Sequence, residues 1–360
     1  MSKQTTHLIS GIQQLGIGVP DVHEAWTWYR KHLGVDIPIF EEQAEANLML
    51  PYTGGKPHQR HAVLCVNGQG GGGLEIWQYT SRKPAAAKNK VQLGDLGITI
   101  AKYKSRKLRA SYDFLKKRGV EMLGNIQCNP AGHEHFYAKD RYGNLIEMIE
   151  SNEWFHKNGY HSGGVYGTVI GVSDIDKALT VYRDILGYDE ICYQSEGSFA
   201  DFEQLPGGQG RFRRVLLKHS YPRRGGFSPL LGNTVIELVQ SLDRTPRKIF
   251  ENRYWGDLGY IHLCYDVRNL PALRNYCADK GHPFTVDSSA DREVFDMGEA
   301  AGNFAYIEDP DGTLIEFVEA YKIPIVKKLG WYLNLRKRKP EKPLPRWMLR
   351  ALALNRKREE

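Results

Sequence analysis

The sequence predicts an α+β protein built from four βαβββ modules and closed by a basic helical tail. Three observations carry that prediction: the chain repeats itself, each repeat reads as strand, helix and further strands, and the composition changes after Glu319. The first repeat is gapless, with Val19–Asp36 returning as Val172–Asp189 and nine of eighteen positions identical. A second stretch runs from Gly94-Asp-Leu-Gly97 to Gly119 and again from Gly256-Asp-Leu-Gly259 to Gly281. Both copies close alike, in Asp140-Arg-Tyr-Gly-Asn-Leu-Ile-Glu147 and Asp309-Pro-Asp-Gly-Thr-Leu-Ile-Glu316.

In the opening module, the alternation from Ile12 to Val19 predicts a strand and Asp21 supplies a helix N-cap. Ala25, Trp28, Tyr29 and Leu33 then recur at helical spacing until Gly34 ends the helix. The short apolar runs His61 to Val66 and Leu74 to Tyr79 predict a hairpin. Gly70–Gly73 joins those two strands rather than opening a helix, so it is a flexible reversal and not a phosphate cradle. The Asp-Arg-Tyr-Gly-Asn and Asp-Pro-Asp-Gly-Thr segments are tight turns between strands. The offsets between copies divide the chain into residues 10–152, their duplicate at 164–320 and an extension at 321–360.

With 360 residues, 41% hydrophobic and 25% charged, the composition is that of an ordinary globular protein. No apolar run approaches the roughly 18 residues of a membrane-spanning helix, and the first ten residues lack a secretory pattern, so the expected location is the cytoplasm. The five scattered cysteines include no C-x-x-C pair and are read as reduced thiols. The formal charge of +7 is local: the last forty residues hold thirteen Lys or Arg against three Glu, so the tail carries +10 and the body −3. Two readings of the tail stay open. It packs on its own sheet edge through Trp331 and Trp347, or its basic segment with Trp347, Leu349, Leu352 and Leu354 contacts an anionic surface. No motif points to specific nucleic-acid recognition.

Glu75, Glu147, Glu237 and Glu316 each sit between apolar neighbours in a strand, which turns them toward one face of a sheet. Burying such carboxylates without a cation or donor costs several kcal/mol. Together with the strand-V-x-D-helix-L-G opening and the D-[PR]-x-G-x-L-I-E close, the modules resemble the vicinal oxygen chelate superfamily of glyoxalases, bleomycin-resistance proteins and dioxygenases, over about residues 10–320. The resemblance implies two glyoxalase-like domains, each a curved sheet cupping a divalent metal of the Ni, Co, Zn, Mn or Fe kind. Carried onto this sequence, it implies Glu237, His262 and Glu316 as ligands in the second half, with the fourth position falling on Gly167. Gln14, Glu75 and Glu147 form a second candidate set in the first half, its fourth position falling on Ile100.

The same resemblance implies a lyase or isomerase of the glyoxalase type, in which the metal chelates vicinal oxygens of a small molecule. Glu237 is the implied catalytic base, and Tyr306 and Tyr137 are implied substrate contacts. An extradiol-type dioxygenase is an alternative, although the histidine its motif places ahead of the tyrosine is missing here. A metal-free small-ligand-binding protein is another, favoured by the ligand lost from each half. A homodimer is left open.

Overall fold

The computed structural model describes residues 6–290, 295–296 and 301–357. The first module comprises β1 (Leu8–Gly18), α1 (Val22–Leu33), β2 (Ile37–Glu45), β3 (Gln59–Val66) and β4 (Gly73–Tyr79). The second comprises β5 (Gly97–Ser105), α2 (Leu108–Lys117), β6 (Glu121–Cys128), β7 (Glu134–Lys139) and β8 (Leu145–Glu150). The third holds β9 (Ser162–Gly171), α3 (Ile175–Tyr182), β10 (Glu190–Gly197), β11 (Phe212–Lys218), the short α4 (Ser228–Leu231) and β12 (Val235–Ser241). In the fourth, β13 (Gly259–Arg268) and α5 (Leu270–Asp279) precede two-residue strands β14 (Val286–Asp287) and β15 (Phe295–Asp296), then β16 (Ala301–Glu308) and β17 (Leu314–Val326). The predicted α+β plan is thus present four times.

The caps explain why the repeat recurs residue by residue. Asp21 and Asp174 accept hydrogen bonds from the first-turn amides of α1 and α3, and Gly34 closes α1 in the left-handed conformation at φ 64°. Tyr29 and Tyr182, identical in the repeat, donate to Asp140 and Asp309, the turn aspartates of the module that follows each in sequence. Those aspartates also accept turn amides, two each, which is why an Asp opens both closing motifs.

The modules do not pair consecutively in their sheets. β1 runs antiparallel to β13, joining the first module to the fourth in a sheet ordered β14-β16-β17-β13-β1-β4-β3-β2. β5 runs antiparallel to β9, joining the second to the third in the order β10-β11-β12-β9-β5-β8-β7-β6. The cause lies in the connections. Residues 80–96 and 242–258 cross between the sheets side by side, with Leu96 N donating to Arg247 O (2.8 Å) and Ile249 N to Leu96 O (3.0 Å). Asp95 of the first Gly-Asp-Leu-Gly motif binds Arg244 of the opposite crossing at 2.6 Å, and Asp257 of the second binds Arg82 at 2.5 Å. The repeated motif is a reciprocal clamp on the crossings.

One core fills the space between the helix-bearing faces of both sheets, with residues from all four modules. Each opposite face curls into a cup. The first cup is lined by Phe40, Leu64, Trp77, Trp255 and Tyr306, the second by Ile100, Tyr137, Val169, Phe202 and Phe212.

After the repeat, β17 runs on to Val326 and β18 (Trp331–Asn334) folds back against it. The chain then reaches α6 (Arg346–Ala351). Leu335, Leu344, Leu349 and Leu352 are buried against Ile37, Val66, Ile323 and Ile325, so the tail does pack on its own sheet. The expected anchors are not the ones used: Trp331 and Trp347 stay outside and stack on each other. No described helix is long and apolar enough to cross a membrane, and the five cysteines are unpaired.

Candidate metal centre

Module pairing regroups the sequence-derived ligands. Gln14 on β1, Glu75 on β4, His262 on β13 and Glu316 on β17 meet in the first cup. The halves treated separately by sequence each give up two residues to a single site. Glu237 and Glu147 do not belong to it, because β12 and β8 lie in the other sheet. The sets Glu237–His262–Glu316 and Gln14–Glu75–Glu147 are therefore both corrected by the crossing connections.

In the first cup, His262 Nε2 lies 3.2 Å from Glu75 Oε2 and 3.1 Å from Glu316 Oε2. Neither approach is aligned as a hydrogen bond, so the imidazole nitrogen is left without a hydrogen-bond partner. Gln14 Nε2 reaches the same two carboxylate oxygens at 3.4 Å, and its Oε1 is buried with no partner. A half-turn of the amide exchanges those two atoms. One ligand atom each from Glu75, His262 and Glu316 lies within 4.8 Å of the others. Three donors of mixed type converging without satisfying one another suit a cation better than a hydrogen-bond network.

The supports of this cluster come from neighbouring strands. Tyr306 donates to Glu316 Oε1 at 2.8 Å, and the Trp255 ring lies parallel to His262 at 6.0 Å. Gly16 faces His262 across the β1–β13 ladder, and a Cβ there would stand 2.4 Å from the imidazole, so only glycine leaves the ring its place. Burial disfavours the charged imidazole, but Glu316 and Glu75 outweigh it and push His262 up to about 9. Burial likewise acts to raise the Glu316 carboxyl, yet His262, with Cys264 and Tyr306, holds it below the ordinary range.

Two small cavities adjoin the cluster. One of about 110 Å³ holds Arg60 and Met49 beside Glu75 and Glu316; the buried Arg60 pairs with Glu42 at 2.7 Å and keeps Nη1 unpartnered. The other, about 90 Å³, is apolar, walled by Ile39, Phe40, Leu64, Phe304 and Val318.

The second cup keeps two carboxylates, Glu147 and Glu237, at the positions of Glu316 and Glu75, but replaces His262 by Ile100 and Gln14 by Gly167. Its centre is filled. Lys102 Nζ donates to Glu237 Oε2 at 2.7 Å and to Glu147 Oε2. Arg214 donates to Glu237 at 2.7 Å through Nε and to both Asp201 oxygens through Nη1, at 2.8 and 2.9 Å. His135 lies 2.9 Å from Glu147 and 3.3 Å from Asp201, both approaches being ion-pair contacts not aligned as hydrogen bonds, as at His262, and Tyr193 donates to Glu237 at 2.6 Å. All these groups are buried. Burial opposes charging of Lys102, and the two glutamates more than compensate, raising it above its ordinary value. His135 is pushed up to about 9 against its burial by Asp201 and Glu147.

Sequence reasoning missed this network. Lys102 follows Ile100 by two residues in an alternating strand, which is the signal that places it on the cup face. His135 lies within β7 and is fully buried. Tyr306 and Tyr137 occupy equivalent cup positions, Tyr306 on Glu316 and Tyr137 with its hydroxyl unpartnered. A further convergence, of His23, Glu41 and His61, lies outside both cups with its first two members solvent-facing.

Solved structures of low sequence identity share this fold. A glyoxalase I from Zea mays superposes with a TM-score of 0.53 at 12% identity, covering 87% of this chain and 92% of its own. A putative dioxygenase from Bacillus subtilis gives 0.54 at 15% identity, covering 87% and 86%. No curated protein sequence matches. The family model described as Glyoxalase/Bleomycin resistance protein/Dioxygenase superfamily matches residues 11–148 and 166–317, well over half the chain, and the protein belongs to that superfamily.

Proposed function

We propose that the first cup holds one divalent metal through Gln14, Glu75, His262 and Glu316, and that the protein is a lyase or isomerase of the glyoxalase type acting on a small molecule with vicinal oxygens. Charge carries the reading. The buried cluster has two carboxylates against one imidazole, and a divalent ion beside a neutral histidine balances it. Bound there, a metal supplies Lewis-acid stabilisation of negative charge developing on substrate oxygens.

The chain's own residues supply the rest. Glu75 and Glu316 both border the cavities where substrate would lie, and a carboxylate at that distance can carry a proton between adjacent carbons. Tyr306 clamps Glu316, whereas among the described residues Glu75 accepts no hydroxyl hydrogen bond and is the freer of the two to hold and move a proton. Arg60, with an unpartnered buried nitrogen, is placed to bind an anionic group of the substrate, and the Ile39–Phe304 cavity an apolar one. The cluster holds one histidine, not the two-histidine, one-carboxylate set of non-haem iron oxygenases, which favours lyase or isomerase over dioxygenase.

The test is elemental analysis of untagged protein together with turnover of a methylglyoxal–glutathione adduct and other 1,2-dioxygenated compounds. Stoichiometric metal is expected in wild type and in Glu237→Gln, and none in His262→Ala. Metal retained by His262→Ala, or lost from a folded Glu237→Gln, overturns the assignment to the first cup. Metal without turnover of any such compound removes the lyase reading and leaves a binding protein.

A further inference from the structure

The C-terminal extension does more than close the sheet. Of the seven tryptophans in the chain, the two exposed ones, Trp331 (36%) and Trp347 (61%), both lie here and stack with ring centres 6.0 Å apart. Leu329 (78%) and Leu354 (65%) are exposed as well. These side chains form one patch. The Trp331–Trp347 stack ties the β17–β18 turn to α6, and Asn355 accepts from Lys327 N at 3.0 Å, tying the end of the helical segment to the same turn. Trp347 and Leu354 are seven residues apart, two helical turns, and Arg350 lies between them on that face.

The patch is tied to the body from behind. Leu349 and Leu352 are buried, Asn355 Nδ2 donates to Ile325 O at 3.1 Å, and Arg356 pairs with Asp36 at 2.9 Å. Large apolar side chains on an exposed surface, within a segment carrying +10, are poorly explained by packing, since the segment's own leucines already supply it.

We propose that this surface docks the protein on anionic lipid bilayers. Tryptophan and leucine enter the headgroup boundary, where an indole is better placed than in water, while the exposed Lys328 and Arg350 beside them meet lipid phosphates. The alternatives fit the same residues less well. A second copy would bring two basic patches together, and a phosphate backbone offers nothing to protruding leucines and to indoles that already cover each other.

The experiment is co-sedimentation of the full chain with vesicles of phosphatidylglycerol and phosphatidylcholine in equal parts, and with phosphatidylcholine alone. The proposal expects binding to the first, little to the second, and a loss of at least about tenfold in Trp347→Ser/Leu354→Ser and in Lys328→Glu/Arg350→Glu. Both double variants alter exposed positions only, and an unchanged thermal transition verifies their fold. No binding to the anionic vesicles, equal binding to neutral ones, or binding unaffected by either variant overturns it. So does equal or tighter binding to duplex DNA, or a dimer that only the Trp347→Ser/Leu354→Ser variant dissolves.

Discussion

The two cups share topology and keep a glutamate pair at equivalent positions, yet they settle the same electrostatic problem in opposite ways. In the second, Lys102, Arg214 and His135 face Glu147, Glu237 and Asp201, three cations against three anions, and each carboxylate accepts a hydrogen bond from Lys102 or Arg214. In the first, His262 is the one ion-pair partner of Glu75 and Glu316 among the described residues, Arg60 of the adjoining cavity being paired with Glu42. The switch turns on strand positions two residues apart: β5 presents Ile100 and Lys102 where β13 presents His262 and Cys264, with Lys102 opposite Glu147 and Cys264 opposite Glu316. A buried glutamate pair is therefore not by itself a sign of metal. What decides is whether a resident ammonium reaches both carboxylates.

The largest effect that tests this contrast is on stability. Lys102→Met removes the shared cation and leaves two buried carboxylates facing each other, a class of change that costs about 3–5 kcal/mol. Cys264→Ser, at the matching register position in the first cup, is expected to cost far less, because no charge loses its partner there. Urea unfolding of both variants checks the comparison. A Lys102→Met cost no larger than that of Cys264→Ser means that Lys102 is not the resident counter-ion.

Much of this was legible in the sequence. The Val19–Asp36 repeat, the Asp caps and the closing turns yield all four modules, and alternation in the strands places all four glutamates in cups. Which modules share a sheet was not legible, because it depends on crossings whose clamps, Asp95 with Arg244 and Asp257 with Arg82, join residues far apart in the chain. Grouping by halves therefore gave each half three candidate ligands, where the structure brings four of those six residues into one cup and two into the other. His135, Arg214 and Asp201 were invisible for a related reason: no local pattern distinguishes a charged side chain that finds two buried partners from one that finds water.

The next effect is the pH dependence of the second cup. A histidine whose folded value is raised to about 9 from 6.5 binds its proton more tightly when folded, so its contribution is complete below about 6.5 and is lost as pH rises through 9. The contribution at stake is roughly 2–4 kcal/mol. Stability of the metal-loaded protein is expected to fall over that window, and His135→Asn to flatten the fall. Metal loading matters because His262, also raised to about 9 without a metal, no longer titrates there once its nitrogen is a ligand. An unchanged slope in His135→Asn removes the charged histidine from the network.

The smallest effect is the sharpest discriminator, because it compares one atom in two equivalent places. Tyr306 and Tyr137 are both buried, on corresponding strands of the two cups. The Tyr306 hydroxyl donates to Glu316, while that of Tyr137 has no partner. Tyr306→Phe is therefore expected to free Glu316 and weaken metal affinity by about 10-fold or more, as loss of a hydrogen bond behind a ligand does. Tyr137→Phe removes a buried hydroxyl that makes no hydrogen bond, so it is expected to leave metal affinity unchanged and stability unchanged or slightly raised. Competition with a chelator measures the first and thermal unfolding the second. If the two phenylalanine variants behave alike in both assays, the cups are not differentiated as their geometry requires: either the Glu316 carboxylate is not held by Tyr306, or the metal is not held by Glu316.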